Sequence, residues 1–421
     1  MASSAPLSAS GAAAPARPVD ADPALIRMSA TERRASGWLA SIYALRMLGL
    51  FLVLPVFAIE ARHYPGGDDP VLIGLAMGAY GLTQGLLQLP FGMASDRLGR
   101  KRVIVFGLLV FAAGSFAAAT ASTALGLIVG RLLQGAGAVS AVVTALLADL
   151  TRDAVRTKAM ALVGASIGLM FALSLVAAPA LTALIGLAGL FAITCVLALA
   201  GVAVTVWLVP AEPARQANAP RGRLIDVLRH VPTLRLNFGV FVLHGVLLAM
   251  WVAVPDLLVQ SGLPKANHWW VYLPAVFASF IVMAFTLFPL ERRGYLRAVF
   301  LAGIALIGAV QLALAWCAAT PPGLWLIALL LFAFFCGSNI LEACQPSIAS
   351  RAAPAHARGA ALGIYNTLQS LGFFAGGAAG GWLIREFGAS GLFVACGAAM
   401  GLWLLIAWPM AAIAATAPKT P

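Results

Sequence analysis

Four ionisable side chains, Arg46, Arg131, His244 and Glu342, stand inside stretches that are otherwise almost entirely apolar. An ionised group at such depth costs on the order of a few kcal/mol unless it is paired or wetted, which makes each one a functional candidate. Glu342 leads. Ser338, Asn339, Glu342 and Gln345 recur at i, i+1, i+4 and i+7 and form one polar face on an apolar helix. A carboxyl held in apolar surroundings can take up and release a proton near neutral pH. Glu342 therefore reads as a proton-coupling or substrate-cation site; a structural hydrogen bond to a neighbouring helix is the other reading. His244 is either a second proton site or a packed, satisfied ring. Arg131 is a fixed cation that lowers the proton affinity of a nearby acid, or one partner of a buried ion pair. Arg46 follows Tyr43 by one turn, so both face one cavity, with substrate or counter-charge duty set against a structural role. Tyr80, Gln84 and Gln88 make one further stripe, and Tyr365, Asn366 and Gln369 another; each lines a pore or bonds adjacent helices.

The elements that hold these groups must be membrane helices. Of 421 residues, 62% are hydrophobic and 10% charged, more apolar surface than a water-soluble domain can hide. A bilayer core needs about 20 apolar residues per helical span. Twelve spans are predicted: 37–60, 70–95, 102–121, 124–148, 157–182, 186–209, 234–258, 268–290, 296–319, 323–349, 358–384 and 389–415. Each is too long and too uniformly apolar for a barrel strand. The four ionisable residues fall in spans 1, 4, 7 and 10.

The net charge of +12 does not point to nucleic acid, because no basic stripe sits on a soluble module. With the N-terminus inside, 22 of the 27 Lys and Arg fall in cytoplasmic segments. Arg62, Lys265 and Arg385 fall outside, and Arg46 and Arg131 within spans. That asymmetry predicts both termini in the cytoplasm, with the basic loops facing anionic lipid. Residues 1–35 have no apolar segment of a signal peptide and read as a disordered cytoplasmic tail, and residues 416–421 as a cytoplasmic C-terminal tail. The five cysteines lie inside spans without a CxxC pattern, so neither a disulfide nor a metal site is expected.

The polar, basic loop 210–233 divides six spans from six, 36–209 from 234–415. A worn repeat crosses that divide. "SDRLGRKR" from Ser95 and "LERRGYLR" from Leu290 align Asp96 with Glu291, Arg97 with Arg292, Gly99 with Gly294 and Arg102 with Arg297. A fainter echo joins "KAMALVGASIGL" from Lys158 to "RGAALGIYNTLQSLG" from Arg358.

The first copy is the most charged stretch of the chain, "GMASDRLGRKR" from Gly92 to Arg102. Gly99 can take the positive φ that a tight helix–helix turn often needs. Gly92, lacking a side chain, is expected to let a neighbouring helix approach. Arg97, Arg100, Lys101 and Arg102 hold the turn at the cytoplasmic face, while Asp96 needs an arginine or a helix N-terminus as partner.

The order Gly-x-x-x-Asp-Arg-x-Gly-Arg-Lys resembles the signature between the second and third helices of the major facilitator superfamily (MFS), as do the twelve spans and the six-plus-six split. "SIYALRMLGLFLVLPVF", "GLTQGLLQLPFGMASDRLGRKR", "GRLLQGAGAVSAVVTALLADLTRDAVRTKAMA" and "LNFGVFVLHG" resemble its YajR-type branch of proton-driven drug-efflux carriers of bacterial inner membranes. The likeness runs from about Glu32 to Trp408. Members of that branch carry a soluble domain after the last span; this sequence stops at Pro421, so that domain is expected to be absent or supplied by another chain.

The resemblance implies an all-α membrane fold of two pseudo-symmetric six-helix bundles, with the first and fourth helix of each half lining a central cavity. It implies a latch in which Asp96 meets the start of span 11, near Arg358 and Gly359, and stabilises the outward-facing state. Arg131, Gln134, Gly135 and Gly137 match the fourth-helix motif Arg-x-x-Gln-Gly-x-Gly, for which the resemblance implies a role in proton transfer or its electrostatic control. The fifth-span antiporter motif is matched only in part: Gly164, Gly168 and Pro179 are present, but Ala178 replaces a glycine.

The function expected is proton-coupled efflux of drug-like or amphipathic compounds by alternating access. Proton-linked nutrient uptake and a non-transporting membrane sensor are the alternatives. No phosphate-binding Gly-x-x-x-x-Gly-Lys-Ser/Thr motif, HExxH or GxSxG occurs, so neither direct use of ATP nor enzyme activity is expected. The expected partners are a small molecule, protons and the lipid bilayer, with no cofactor, no metal and no nucleic acid; the family expectation is a monomer.

Overall fold

The computed structural model describes residues 28–212, 227, 230–320, 323–352 and 358–410, and no strand occurs among them. Residues 1–27 of the expected N-terminal tail, the expected C-terminal tail 416–421 and most of the loop 210–233 lie outside the described residues. The main helices are α1 (Ala30–Glu60), α2 (Pro70–Leu98), α3 (Arg100–Ala119), α4 (Ala124–Ala136), α5 (Ser140–Asp149), α6 (Asp153–Ala203), α7 (Val231–Gln260), α8 (Trp269–Arg292), α9 (Leu296–Ala319), α10 (Leu324–Ala352) and α11 (Arg358–Ala407).

Local chemistry sets several of these boundaries. Ser29 caps α1 through a reciprocal bond with Glu32, so α1 starts ahead of the expected residue 37 and takes up part of the predicted tail. The Asp69 carboxylate accepts from the Val71 amide at 2.8 Å, and Pro70 opens α2 with φ already set. Thr123 caps α4. Span 4 is not continuous: Gly137 leaves helical geometry, and α4 and α5 form its two parts.

Ten helical stretches among the described residues are long and apolar enough to cross a membrane, against the twelve expected. Two of them explain the difference. α6 has 51 residues and α11 has 50. At ~1.5 Å per residue each is about 75 Å long, far beyond a ~30 Å hydrocarbon core. Each is broken by one left-handed glycine, Gly186 at φ 66° and Gly388 at φ 68°, and so contributes two membrane-length arms.

The positive-φ residues record the repeat. Among the described residues all six are glycines, and they pair by rank in the two halves: Gly66 with Gly262, Gly99 with Gly294, Gly186 with Gly388. Gly99 and Gly294 are the pair aligned in the sequence, at φ 107° and 83°. The backbone thus keeps a symmetry that the side chains have largely lost.

The bundles, α1–α6 and α7–α11, pack closely where α2 meets α11. A Cβ on Gly74 would overlap the Gly377 carbonyl oxygen, and one on Gly78 or Gly81 would overlap backbone at Phe374 or Ser370. Small residues here let two backbones touch, the usual means of helix association in lipid. The outer surface carries large apolar side chains such as Leu184, Phe285 and Trp325, while Arg46, Arg131, His244 and Gln345 are buried. Apolar groups outside and ions inside is what a lipid solvent selects. Four of the cysteines are buried and Cys195 is half-buried. Trp270 is exposed, whereas Tyr272 is buried against Trp251.

Candidate functional site

Glu342, His244 and Gln369 come together from α10, α7 and α11. His244 Nδ1 lies 2.8 Å from the Val240 carbonyl oxygen one turn earlier. A carbonyl only accepts, so Nδ1 carries the hydrogen. Nε2 then has one remaining role, and two groups face it: the Gln369 amide nitrogen at 2.7 Å and Glu342 Oε1 at 3.4 Å. The neutral ring accepts from Gln369; the charged ring donates toward Glu342. Phe373 packs edge-on against the imidazole, 4.9 Å between centroids. The Glu342 side chain is 45% accessible, whereas hydropathy alone implied a buried carboxyl. It faces open space with a buried ring behind it.

The polar face expected on α10 divides. Asn339 donates to Ser279 of α8 at 2.7 Å, and Gln345 donates to the Leu236 carbonyl of α7 at 3.2 Å. Ser338 is buried. Asn339 and Gln345 join helices of their own bundle, so Glu342 is the member of the face turned to open space and to His244. Asn366 accepts from Ser370 through its carbonyl and stays half-buried beside Gln369.

In the other bundle Arg46 is 2% exposed and gathers three helices. It donates to Ser140 Oγ of α5 at 2.7 Å, to Gln84 Oε1 of α2 at 2.9 Å and to the Tyr80 hydroxyl. Gln84 in turn donates to Ser370 of α11 at 3.1 Å, which carries the network across to the second bundle. Tyr43 lies one turn away and donates to the Ser140 carbonyl at 2.6 Å, with Thr144 also in reach. Of the stripe on α2, Tyr80 and Gln84 thus serve Arg46, while Gln88 is buried further along.

Arg131 is committed differently. Its guanidinium donates to the Ala76 and Met77 carbonyls, both at 3.3 Å, and to Gln134 at 3.1 Å, and it stacks over the Tyr80 ring at 5.2 Å. No carboxylate among the described residues pairs with Arg46 or Arg131, so the acid expected beside Arg131 is not there. Gly135 and Gly137 of the same motif are contact glycines: a Cβ would overlap the Tyr80 carbonyl in one case and the Gly107 carbonyl in the other.

At the Asp96 end, Arg100 is the hub. It pairs with Asp96 at 2.7 Å, with Asp149 at 3.1 Å and with Ser95 Oγ at 2.6 Å. Glu212 accepts from the Arg100 and Lys101 amides at 3.0 and 2.5 Å and so caps α3, while Lys101 Nζ reaches the Val209 carbonyl. Arg97 is exposed. The side chains of Arg358 and Gly359, the partners expected for Asp96, lie outside the described residues. Among the described residues, nothing lies within 4 Å of where the Gly92 Cβ would be. Gly164 is likewise open, while Gly168 faces Phe280 of the other bundle.

Sequence reasoning did not single out Asp149, Glu212, Ser140, Ser370 or the Glu32–Arg152 pair, which is bonded at 2.8 Å and pushes the Arg152 guanidinium pKa up. Their partners lie 49 to 286 residues away, beyond any local pattern.

The sequence profile described as Major Facilitator Superfamily matches residues 39–376 and 275–421. The chain is 41% identical over 389 residues to the inner membrane transport protein YajR of Escherichia coli (strain K12), covering 91% of this chain and 85% of that one. It is 28% identical over 363 residues to the multidrug resistance protein MdtH of Cronobacter sakazakii, covering 80% of this chain and 83% of MdtH. Among solved structures, the human organic anion transporter MFSD10 superposes with a TM-score of 0.66 at 18% identity, over 89% of this chain and 99% of the other. An auto-inhibited peptide transporter of the POT family superposes at 0.71 and 15% identity, over 92% and 99%. At such identities the likeness is one of fold alone.

Proposed function

The chain belongs to the Major Facilitator Superfamily of membrane transporters, and on that premise we propose that it is a proton-coupled carrier exporting drug-like or amphipathic small molecules across a bacterial inner membrane. Both termini lie in the cytoplasm, which puts the Asp96 end inside and the Glu60 end outside; the Lys and Arg asymmetry supports this. The drug-like substrate class rests on the likeness to a protein named for multidrug resistance and one named for inner membrane transport.

The observation that carries the coupling is the Glu342–His244–Gln369 cluster. One proton, shared between Glu342 and His244 Nε2, arrives from outside and leaves to the cytoplasm. While Nε2 is unprotonated, Gln369 of α11 bonds it; once protonated, the ring turns its bond to Glu342. Protonation therefore changes which helix α7 holds, and the bundles rock around that exchange. Arg46 is the counter-charge, or substrate contact, in the opposite wall, and Arg131 fixes α4 to α2. The stretch from Gly92 to Lys101 latches the cytoplasmic ends through Asp96.

The test is transport in proteoliposomes with an imposed pH gradient and a panel of amphipathic compounds. Glu342→Gln is expected to lower gradient-driven flux at least tenfold while substrate exchange without a gradient persists. Full gradient-driven flux in that variant sinks the coupling role. Net direction in the same vesicles separates export from uptake, and no flux at all points to a sensor.

A further inference from the structure

In the orientation proposed above, only three of the lysines and arginines of the sequence lie on the outer side: Arg62, Lys265 and Arg385. All three are paired, and each pair joins one bundle to the other. Arg62, just past α1, bonds Asp256 near the end of α7. Lys265, in the turn before α8, bonds Glu60 at the end of α1. Arg385 of α11 lies 3.7 Å from Asp69, the cap of α2. The first bundle offers minus, plus, minus at Glu60, Arg62 and Asp69; the second offers plus, minus, plus. Such a pattern matches in one register only.

Beneath the ions an aromatic contact crosses the same gap. Phe171 of α6 packs edge-on against Trp251 of α7, 6.2 Å between centroids. Phe51 backs the first ring at 5.1 Å and Tyr272 the second at 5.1 Å.

We propose that Glu60–Lys265, Arg62–Asp256 and Asp69–Arg385 form an outer latch that holds the external face of the carrier shut and must break before that face opens. It explains why bases persist on a side from which the charge asymmetry otherwise removes them. The pairs are partly exposed, with Arg62 at 48% and Arg385 at 47% accessible. Pairs of this kind are individually weak and are screened by salt, so together they close the face without sealing it. Two other groups share them: His63 lies 4.0 Å from Glu60, and Glu386 lies 3.0 Å from Arg385.

The latch rests on the proposed orientation but needs no substrate, so it is read separately from transport. Spin labels at Ser122 and Thr320, in turns at the outer ends of the two bundles, report opening of the full-length protein in lipid nanodiscs. Arg62→Gln with Lys265→Gln is expected to raise the long-distance population at least threefold. Reversing one pair, Arg62→Asp with Asp256→Arg, is expected to return it to the wild-type value, while Arg62→Asp alone opens the face. Should the reversed variants lose their fold, 1 M salt on the wild-type protein serves instead and is expected to raise the same population. An unchanged distance distribution in the neutralised variant, or failure of the reversed pair to close a face opened by Arg62→Asp, overturns the latch. Absence of flux with an intact latch would instead remove the transport reading.

Discussion

His244 shows how one ring can hold two states. Its Nδ1 is tied to Val240, so protonation is confined to Nε2, where Gln369 and Glu342 face it. Replacing the ring by a group that does not titrate removes that choice. His244→Asn is expected to shift or flatten the pH profile of gradient-driven flux while the protein keeps its melting temperature within a few degrees. A profile identical to wild type would reduce the ring to packing against Phe373. The contrast between the two arginines also belongs to this scale. Arg131 spends its donors on carbonyls of α2 and on Gln134, whereas Arg46 binds side chains of α2 and α5 that themselves reach other helices. Residue type alone does not separate them.

Among the helices, the glycines of the two motifs differ in what they do. Gly135 lies where a Cβ would overlap the Tyr80 carbonyl and the Thr83 hydroxyl. Gly135→Ala therefore forces α4 away from α2, at a cost of about 1–3 kcal/mol, read as a lower melting temperature. No described residue crowds Gly92, and Gly92→Ala is expected to leave stability within about 0.5 kcal/mol of wild type. Equal losses in the two variants would contradict the packing seen here. The breaks in α6 and α11 follow the same logic: Gly186 and Gly388 adopt a positive φ that L side chains avoid, which lets one long apolar run fold back as two arms.

For the molecule as a whole, the seam between α2 and α11 joins two bundles that the proposed carrier has to move past each other. Gly74 touches the Gly377 carbonyl, so Gly74→Ala pushes the bundles apart without entering either core. Each bundle should stay folded, by circular dichroism, while flux falls several-fold. A fall in helicity equal to the fall in flux would locate the defect inside a bundle instead. The ion pairs at the Glu60 end and the Arg100 hub at the Asp96 end differ in kind: the first set links the bundles, while Arg100 with Asp96 and Asp149 stays within one.

The sequence by itself determined the solvent, the class and the repeat. Apolar runs of membrane length, bases on alternate sides and the aligned pair Gly99 and Gly294 are local or periodic features, and hydropathy, charge asymmetry and backbone permissiveness act on them one residue at a time. It also named most of the groups that the site uses, because ions inside an apolar run are costly wherever the helix ends up. The tertiary structure decided their partners. That Glu342 meets His244 rather than Arg131, that Ser338, Asn339 and Gln345 turn away from it, that Glu212 caps α3 and that three bases at the Glu60 end each cross the seam all depend on contacts between segments tens to hundreds of residues apart. Such contacts are set by how helices pack against one another, and no period within a single helix encodes them.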